Sequence, residues 1–349
     1  GNHESNYPNT ASIFNGTDSR GECGVLASSL LPMPWPAIKD KPWWYYDVGM
    51  MRLVGMSTEH NFTIGSEQYL FLETALNSVD RNITPWIIFG GHRPMYINSL
   101  WGPCPQSYTD PADQYWNSNC GGDNSDQKVA NMLIENVEPL LVKYNVDLAF
   151  WGHNHQVQRQ SSVKERTTCQ ASTPITDSDG NVVHTFEDPP CPVHMVVGTG
   201  GASFSNTSPP SPSSPDWIEY FPWSEMNMQE YGYAVVTAAD ENRLVWEFKG
   251  STHDNQVLDR MTICKNNINC LESPPPSTDN NDNDNVDYDA IIISMSLLGF
   301  FVAAGAGYLI WSRGAVSKGD SRRSSASSSN NQVEINRPLN NDDFVSSSA

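Results

Sequence analysis

A chain of 349 residues with 38% apolar content can bury the core of one large domain or two, which excludes a wholly disordered protein. Its formal charge of −20 excludes a nucleic-acid scaffold, because a polyanion would be repelled and no Lys/Arg stripe offsets the field. A phosphorylated substrate would need a strong local source of positive charge.

Residues 1–263 read as one globular unit of mixed strands and helices. Ser66-Glu67-Gln68 marks a helix start, after which Tyr69, Leu72, Leu76 and Val79 recur at helical spacing. Trp86-Ile87-Ile88-Phe89 is a short continuous apolar run, the pattern of a strand covered on both faces, and it stops at Gly90-Gly91-His92. A second helix is expected from Val129, Met132, Leu133, Val137, Leu140, Leu141 and Tyr144, with Pro139 as a kink. It feeds a strand over 146–151 that ends at Gly152-His153-Asn154-His155. A third strand over 193–197 ends at Gly198-Thr199-Gly200-Gly201. Segments 233–237, 244–248 and 257–263 then read as an antiparallel meander. Strands that end in glycines, two of them followed by histidine, are how α/β folds place ligands beyond the carboxyl edge of a sheet. The histidines are expected to converge.

Cysteine spacing points to the local pairs Cys104–Cys120, Cys169–Cys191 and Cys264–Cys270, none in a zinc pattern, with Cys23 left over. Glycosylation sequons at Asn15, Asn61, Asn82 and Asn206 lie in the same region and suggest secretion, Pro85 making Asn82 the poorer acceptor. Residues 264–289 are a disulfide clip and an acidic Pro/Asn/Asp-rich stalk. Residues 290–311 are apolar, uncharged and long enough for a transmembrane helix, and 312–349 form a Ser/Asn-rich disordered tail. Arg313, Lys318, Arg322 and Arg323 follow the span, which puts the tail in the cytoplasm and the bulk of the chain in an extracellular or vacuolar/lysosomal space. The chain starts at Gly1 without a signal peptide, so it reads as a fragment whose upstream part could hold the mate of Cys23.

His153 and His155 are two apart, so an extended backbone points both rings into one site, and neutral imidazole is a common metal ligand. Alone, that pair is weak evidence, since an exposed polar pair after a strand is as common. Gly1-Asn2-His3-Glu4, Gly91-His92-Arg93 and Gly152-His153-Asn154-His155 nevertheless occur in that order, the last two after strand runs. This set resembles the third, fourth and fifth motifs of the purple acid phosphatases, within the calcineurin-like metallophosphoesterases. Gly21-Glu22-Cys23-Gly24-Val25, Thr58-Glu59-His60, Gly65-Ser66-Glu67-Gln68-Tyr69 and Tyr231-Gly232-Tyr233 agree with it.

The resemblance implies a metallophosphoesterase-type mixed β-sandwich flanked by helices over 1–263. It implies a dinuclear centre of Fe(III) with Zn, Mn or Fe(II): Asn2, His92 and His153 on the divalent ion and His155 on the ferric ion. His3 matches the family histidine that contacts phosphate and protonates the leaving alkoxide. A pair of cations about 3.5–4 Å apart clamps phosphate oxygens and offsets the negative surface charge. The family's first two motifs have no counterpart here and are expected upstream of Gly1. A histidine pair that many plant members carry after His92 is also missing, and Arg93 and Tyr96 are candidate phosphate contacts in its place.

His60 and His194 read as structural, with pocket lining the alternative for His194, and His184 and His253 as loop residues. Trp43-Trp44-Tyr45-Tyr46 reads as core rather than a base-stacking platform. The expected activity is hydrolysis of a phosphorylated small molecule, a monoester, by a membrane-anchored enzyme. The alternatives are a phosphodiesterase or nucleotide pyrophosphatase on the same metals, or a non-catalytic surface glycoprotein if the upstream motifs are absent.

Overall fold

The computed structural model describes residues 1–3, 29–30, 33–38, 41–98, 126–205, 221–270, 289–296 and 299–304. Glu4, Asn15, Cys23, the Cys104–Cys120 pair, Asn206, the 271–288 stalk and the 312–349 tail lie outside them. The described residues all fall in one compact unit, Gly1–Tyr308.

Two sheets face each other, and helices cover the outer face of the first. The first sheet holds β1 (Trp44–Val48), β2 (Met51–Gly55), β3 (Trp86–Gly90), β4 (Leu148–Trp151), β9 (Val193–Val197), β5 (Val157–Lys164) and β10 (Ser224–Met228) in that spatial order, with β6 (Thr167–Gln170) beside β5. Its centre, from β2 through β3 and β4 to β9, is parallel. The second sheet runs β15 (Gly299–Ala304), β14 (Asp289–Ser296), β11 (Gly232–Asp240), β12 (Arg243–Gly250), β13 (Val257–Cys264), β8 (Val182–Glu187) and β7 (Thr173–Thr176). Burial on both faces explains why β3 and β4 are continuous apolar runs and why β9 is apolar except for His194. One core joins Trp86, Leu148 and Val193 of the first sheet to Val236, Trp246 and Met261 of the second. The other joins Phe89, Trp151 and Val196 to the helices.

Helix α1 (Glu67–Asn77) starts where Ser66 accepts the Tyr69 N–H at 3.2 Å, and it buries Leu72, Ala75 and Leu76. Fully burying a leucine contributes about 1.5–3 kcal/mol, so this stripe holds the helix on the sheet. The second expected helix is two: α2 (Asp126–Asn136) and α3 (Glu138–Lys143), separated at Val137. Pro139 lacks an N–H to bond back into α2 but fits the first turn of a new helix, so the chain breaks rather than bends. The meander appears as β11, β12 and β13. Disulfides join Cys169 to Cys191 and Cys264 to Cys270, with Cα atoms 6.2 and 5.7 Å apart. Asn61 and Asn82 are exposed.

The first half of the 290–311 run departs from the helix expected of it. Residues 289–296 and 299–304 are strands, with β14 antiparallel to β11 and β15 antiparallel to β14. Ile291, Ile292 and Ile293 favour extended backbone, and the free edge of β11 offers a row of peptide groups to pair with. Among the described residues, no helix is long and apolar enough to cross a membrane.

Candidate metal centre

The parallel strands deliver their C-terminal loops to one edge of the first sheet. The loops are sewn together by backbone bonds: Gly91 N–H donates to Phe150 O at 3.0 Å, and Gly152 N–H to His92 O at 2.9 Å. After β4 the chain turns sharply. Asn154 N–H donates back to Gly152 O at 2.6 Å, and His153 takes a φ of +60°, a left-handed conformation uncommon outside glycine and concentrated at functional sites. Gly198, just past β9, lies so near this turn that a Cβ there would sit 1.9 Å from Asn154 O.

Three donor atoms meet as a result. Asn2 Oδ1 is 2.7 Å from His92 Nε2 and 3.2 Å from His153 Nδ1, and the two ring nitrogens are 3.2 Å apart. The rings cross at 71° with centroids 5.1 Å apart. Metal–nitrogen bonds of about 2.1 Å at right angles put neighbouring donors roughly 3 Å apart, so this triangle fits one face of a divalent ion's coordination sphere. The donors are also chemically suited, being one neutral oxygen and two imidazole nitrogens. Desolvation, then the positive charge of neighbours that include His153, Arg93 and His3, holds the His92 imidazole well below its usual pKa and leaves its lone pair free of a proton. Among the described residues no group of three or more His, Cys, Asp and Glu side chains could hold an ion, so the third donor of this set is the Asn2 amide.

His155 is half-buried, and its Nδ1–H donates to Ser203 O at 2.7 Å. Its backbone N–H donates to Ser205 Oγ at 2.9 Å. The nitrogen left for an ion is Nε2, the tautomer that such a second partner enforces in metal-binding histidines. His3 is exposed beside the triad.

Arg93 and Tyr96 do not present themselves to a substrate. Arg93 is 3% exposed and forks onto Glu59, with Nε–Oε1 at 2.6 Å and Nη2–Oε2 at 3.3 Å. Tyr96 is 1% exposed and its hydroxyl bonds Glu138. Burial, then the Glu138 charge, pushes that phenol far above its usual range, so it stays neutral. Both side chains brace the loop after β3 from beneath. His60 is buried and bonded to Ser57 Oγ at 2.7 Å, and His194 is a core residue on β9. His184 sits in strand β8 rather than a loop, with Ser172 Oγ 3.2 Å from its Nδ1.

The residues that sequence reasoning missed are the supports. Ser203 and Ser205 follow the Gly198-Thr199-Gly200-Gly201 string, whose glycines signalled a close approach without saying to what. Glu59 stood in a recognised run, but its pairing with Arg93 across 34 residues left no local trace.

A family model described as calcineurin-like phosphoesterase matches residues 1–157, and one described as iron/zinc purple acid phosphatase-like protein C matches residues 191–260. The chain carries a purple acid phosphatase-like metallophosphoesterase domain. It is 32% identical over 265 residues to probable inactive purple acid phosphatase 27 of Arabidopsis thaliana, covering 74% of this chain and 37% of that protein. It is 30% identical over 265 residues to the nucleotide pyrophosphatase/phosphodiesterase of Hordeum vulgare, covering 75% of this chain and 61% of that one. The solved structure of purple acid phosphatase PPD1 from yellow lupin (Lupinus luteus) seeds superposes with a TM-score of 0.58 at 29% identity, over 80% of this chain and 43% of that one. The phosphoesterase domain thus spans little more than a third of the Arabidopsis relative's length. The family implies a dinuclear metal centre.

Proposed function

We propose that the protein hydrolyses phosphate monoesters at a dinuclear metal centre outside the cytoplasm. Asn2, His92 and His153 would hold the divalent ion and His155 the ferric one, with Zn, Mn or Fe(II) as the divalent partner. The convergence of Asn2 Oδ1, His92 Nε2 and His153 Nδ1 within 3.2 Å of one another carries the reading. When bound, such ions polarise phosphate oxygens and make water nucleophilic. The chain's own residues set the geometry: Asn2 leaves the divalent ion more electrophilic than a carboxylate would, and exposed His3 is placed to give a proton to the leaving oxygen. Arg93–Glu59 keeps the His92 loop rigid from the interior.

A second reading follows from the barley relative, a nucleotide pyrophosphatase/phosphodiesterase: cleavage of diesters or pyrophosphates on the same ions. Comparing p-nitrophenyl phosphate with bis-p-nitrophenyl phosphate decides between them, and a strong preference for the diester would sink the monoesterase. Names of inactive relatives make the metal the first thing to measure. His92→Ala should weaken Zn(II) or Mn(II) binding at least tenfold by calorimetry, the scale of losing a direct ligand or more. Equal affinity in that variant removes the triad from the site.

The extracytoplasmic placement is supported by the two disulfides and the exposed sequon asparagines Asn61 and Asn82. Membrane attachment is supported by the length and flanking charge of 290–311, against the strand pairing of its first half. Release of the protein from membranes by alkaline carbonate would dismiss the anchor.

A further inference from the structure

The loop after β9 makes three hydrogen bonds with His155 and is itself gripped by the start of β11 and the residues before it. At one end Thr199 Oγ1 donates to Gly232 O at 3.3 Å, and Gly232 N–H donates back to Thr199 O at 3.4 Å. At the other end Gln229 Nε2–H donates to Ser205 O at 3.0 Å. Between these ties, Phe204 and Tyr231 stack with centroids 4.3 Å apart and planes 25° from parallel. On the opposite side of the same loop, Ser203 O takes the His155 Nδ1–H and Ser205 Oγ takes the His155 N–H. Ser205 N–H closes the set by donating to His155 O at 3.3 Å.

We propose that Phe204 and Tyr231 are positioning residues that lock His155 with its proton on Nδ1 and its Nε2 free. The two rings act on His155 through the loop that carries Ser203 and Ser205. A histidine side chain left to itself exchanges between two tautomers and several rotamers. The Ser203 carbonyl can only accept, so its presence 2.7 Å from Nδ1 selects one tautomer, and only if residues 203–205 are held still. Side-chain and backbone bonds hold Thr199 and Ser205, whose carbonyl also takes the Gln156 Nε2–H at 2.9 Å, and Phe204, between Ser203 and Ser205, is fixed by its ring. Ring stacking supplies that without requiring a further polar partner. The arrangement also links the two matched segments: His155 belongs to the 1–157 match, whereas Phe204 and Tyr231 belong to the 191–260 match. The consequence for metal binding rests on the reading of His155 as a ligand.

The test uses the full chain, first stripped of metal. Nitrogen–proton correlation spectra of the imidazoles at mildly alkaline pH report which nitrogen of His155 carries the proton. Wild type and Phe204→Tyr should show the Nδ1–H form, and Phe204→Leu, which keeps apolar bulk but loses the stack, should show a mixture of both. Tyr231→Leu should repeat that loss independently. Ga(III), a diamagnetic stand-in for the ferric ion assigned to His155, should bind about tenfold more weakly in the leucine variants when titrated into the same samples, the scale of losing a partner to a ligating histidine. Retention of a pure Nδ1–H signal in both leucine variants overturns the proposal. A tautomer change without any change in Ga(III) affinity supports the positioning role and overturns the assignment of His155 as a ligand.

Discussion

His194 shows how one residue sets a pH limit on the whole fold. It is fully buried, with its ring 8° from parallel to that of Trp151 at a centroid distance of 6.1 Å, and it accepts the Trp151 indole N–H on Nδ1 at 3.0 Å. Its proton therefore sits on Nε2, and the neutral ring is the only form the core tolerates. Burial depresses its pKa to about 3. The unfolded chain takes up a proton at about pH 6.5, so between these values the unfolded state binds more protons than the native one. Stability contributed by the neutral ring is thus present above pH 6.5 and is lost as pH falls, at up to ~1.4 kcal/mol per pH unit. His194→Asn keeps an acceptor for Trp151 and removes the titration. We expect that variant to be about 1–3 kcal/mol less stable at neutral pH from lost packing. Its urea midpoint should fall less than wild type's between pH 7 and pH 4.5. Parallel declines would reject the assignment. A protein working in an acidic space carries this cost at its working pH.

At the scale of elements, one carboxylate ties four of them at the end of the sheet away from the candidate centre. Asp147 enters β4 and accepts from Ile87 N–H of β3 at 2.7 Å, from Arg81 beyond α1 at 2.7 Å and from Lys265 beyond β13 at 2.7 Å. Arg81 also reaches the carbonyl of Tyr144, where α3 ends, at 3.1 Å, and Lys265 lies over the Trp86 ring at 3.9 Å. Asp147→Asn would leave the two cations facing each other without the carboxylate they share, with only the charge of Asp188 still acting on Lys265. We expect a loss of about 2–3 kcal/mol by denaturant unfolding, below the cost at a fully buried pair because Arg81 and Lys265 keep some solvent contact. Zn(II) affinity should be unchanged, which separates this stability lesion from a site lesion. None of this network is visible in sequence, because Arg81 and Lys265, which meet on Asp147, are 184 residues apart (265 − 81). What was legible is what periodicity and glycine report: α1, the buried strands β3, β4 and β9, the meander, and the convergence of Asn2, His92 and His153. The segment 157–187 was not legible, since β5 reads Val-Gln-Arg-Gln-Ser-Ser-Val-Lys, polar yet buried for seven of its eight residues. Its glutamines bond along the strand instead of facing water: Gln160 Nε2 donates to Gln158 Oε1 at 3.1 Å, and Gln158 to Asn154 Oδ1 at 3.1 Å, while Gln160 Oε1 is buried without a partner. Binary patterning assumes polar residues face water, and here a buried amide ladder reverses it. Arg93 and Tyr96 misled for the same reason, as polar groups satisfied internally.

For the whole molecule, the open question of architecture is what ends the second sheet. An apolar uncharged run has two uses, a membrane span or an edge hairpin, and composition alone does not separate them. The structure pairs Ala234–Ala238 of β11 with Asp289–Ile293 of β14, so alternate peptide groups of β11 are bonded outward to that hairpin. A chain ending at Cys270 exposes those groups to water while β11 keeps its bonds to β12 on the other side. Amide hydrogen exchange distinguishes the outcomes residue by residue. We expect alternate β11 amides between Ala234 and Ala238 to lose protection on truncation. Amides of β3, β4 and β9, buried in the other sheet, should keep theirs. The truncated chain should also self-associate more readily, since β11 would then be a long flat edge with apolar Ala234, Val235 and Val236 along it. Unchanged protection across β11 would mean that the hairpin does not pair there and would return the 290–311 run to the membrane reading.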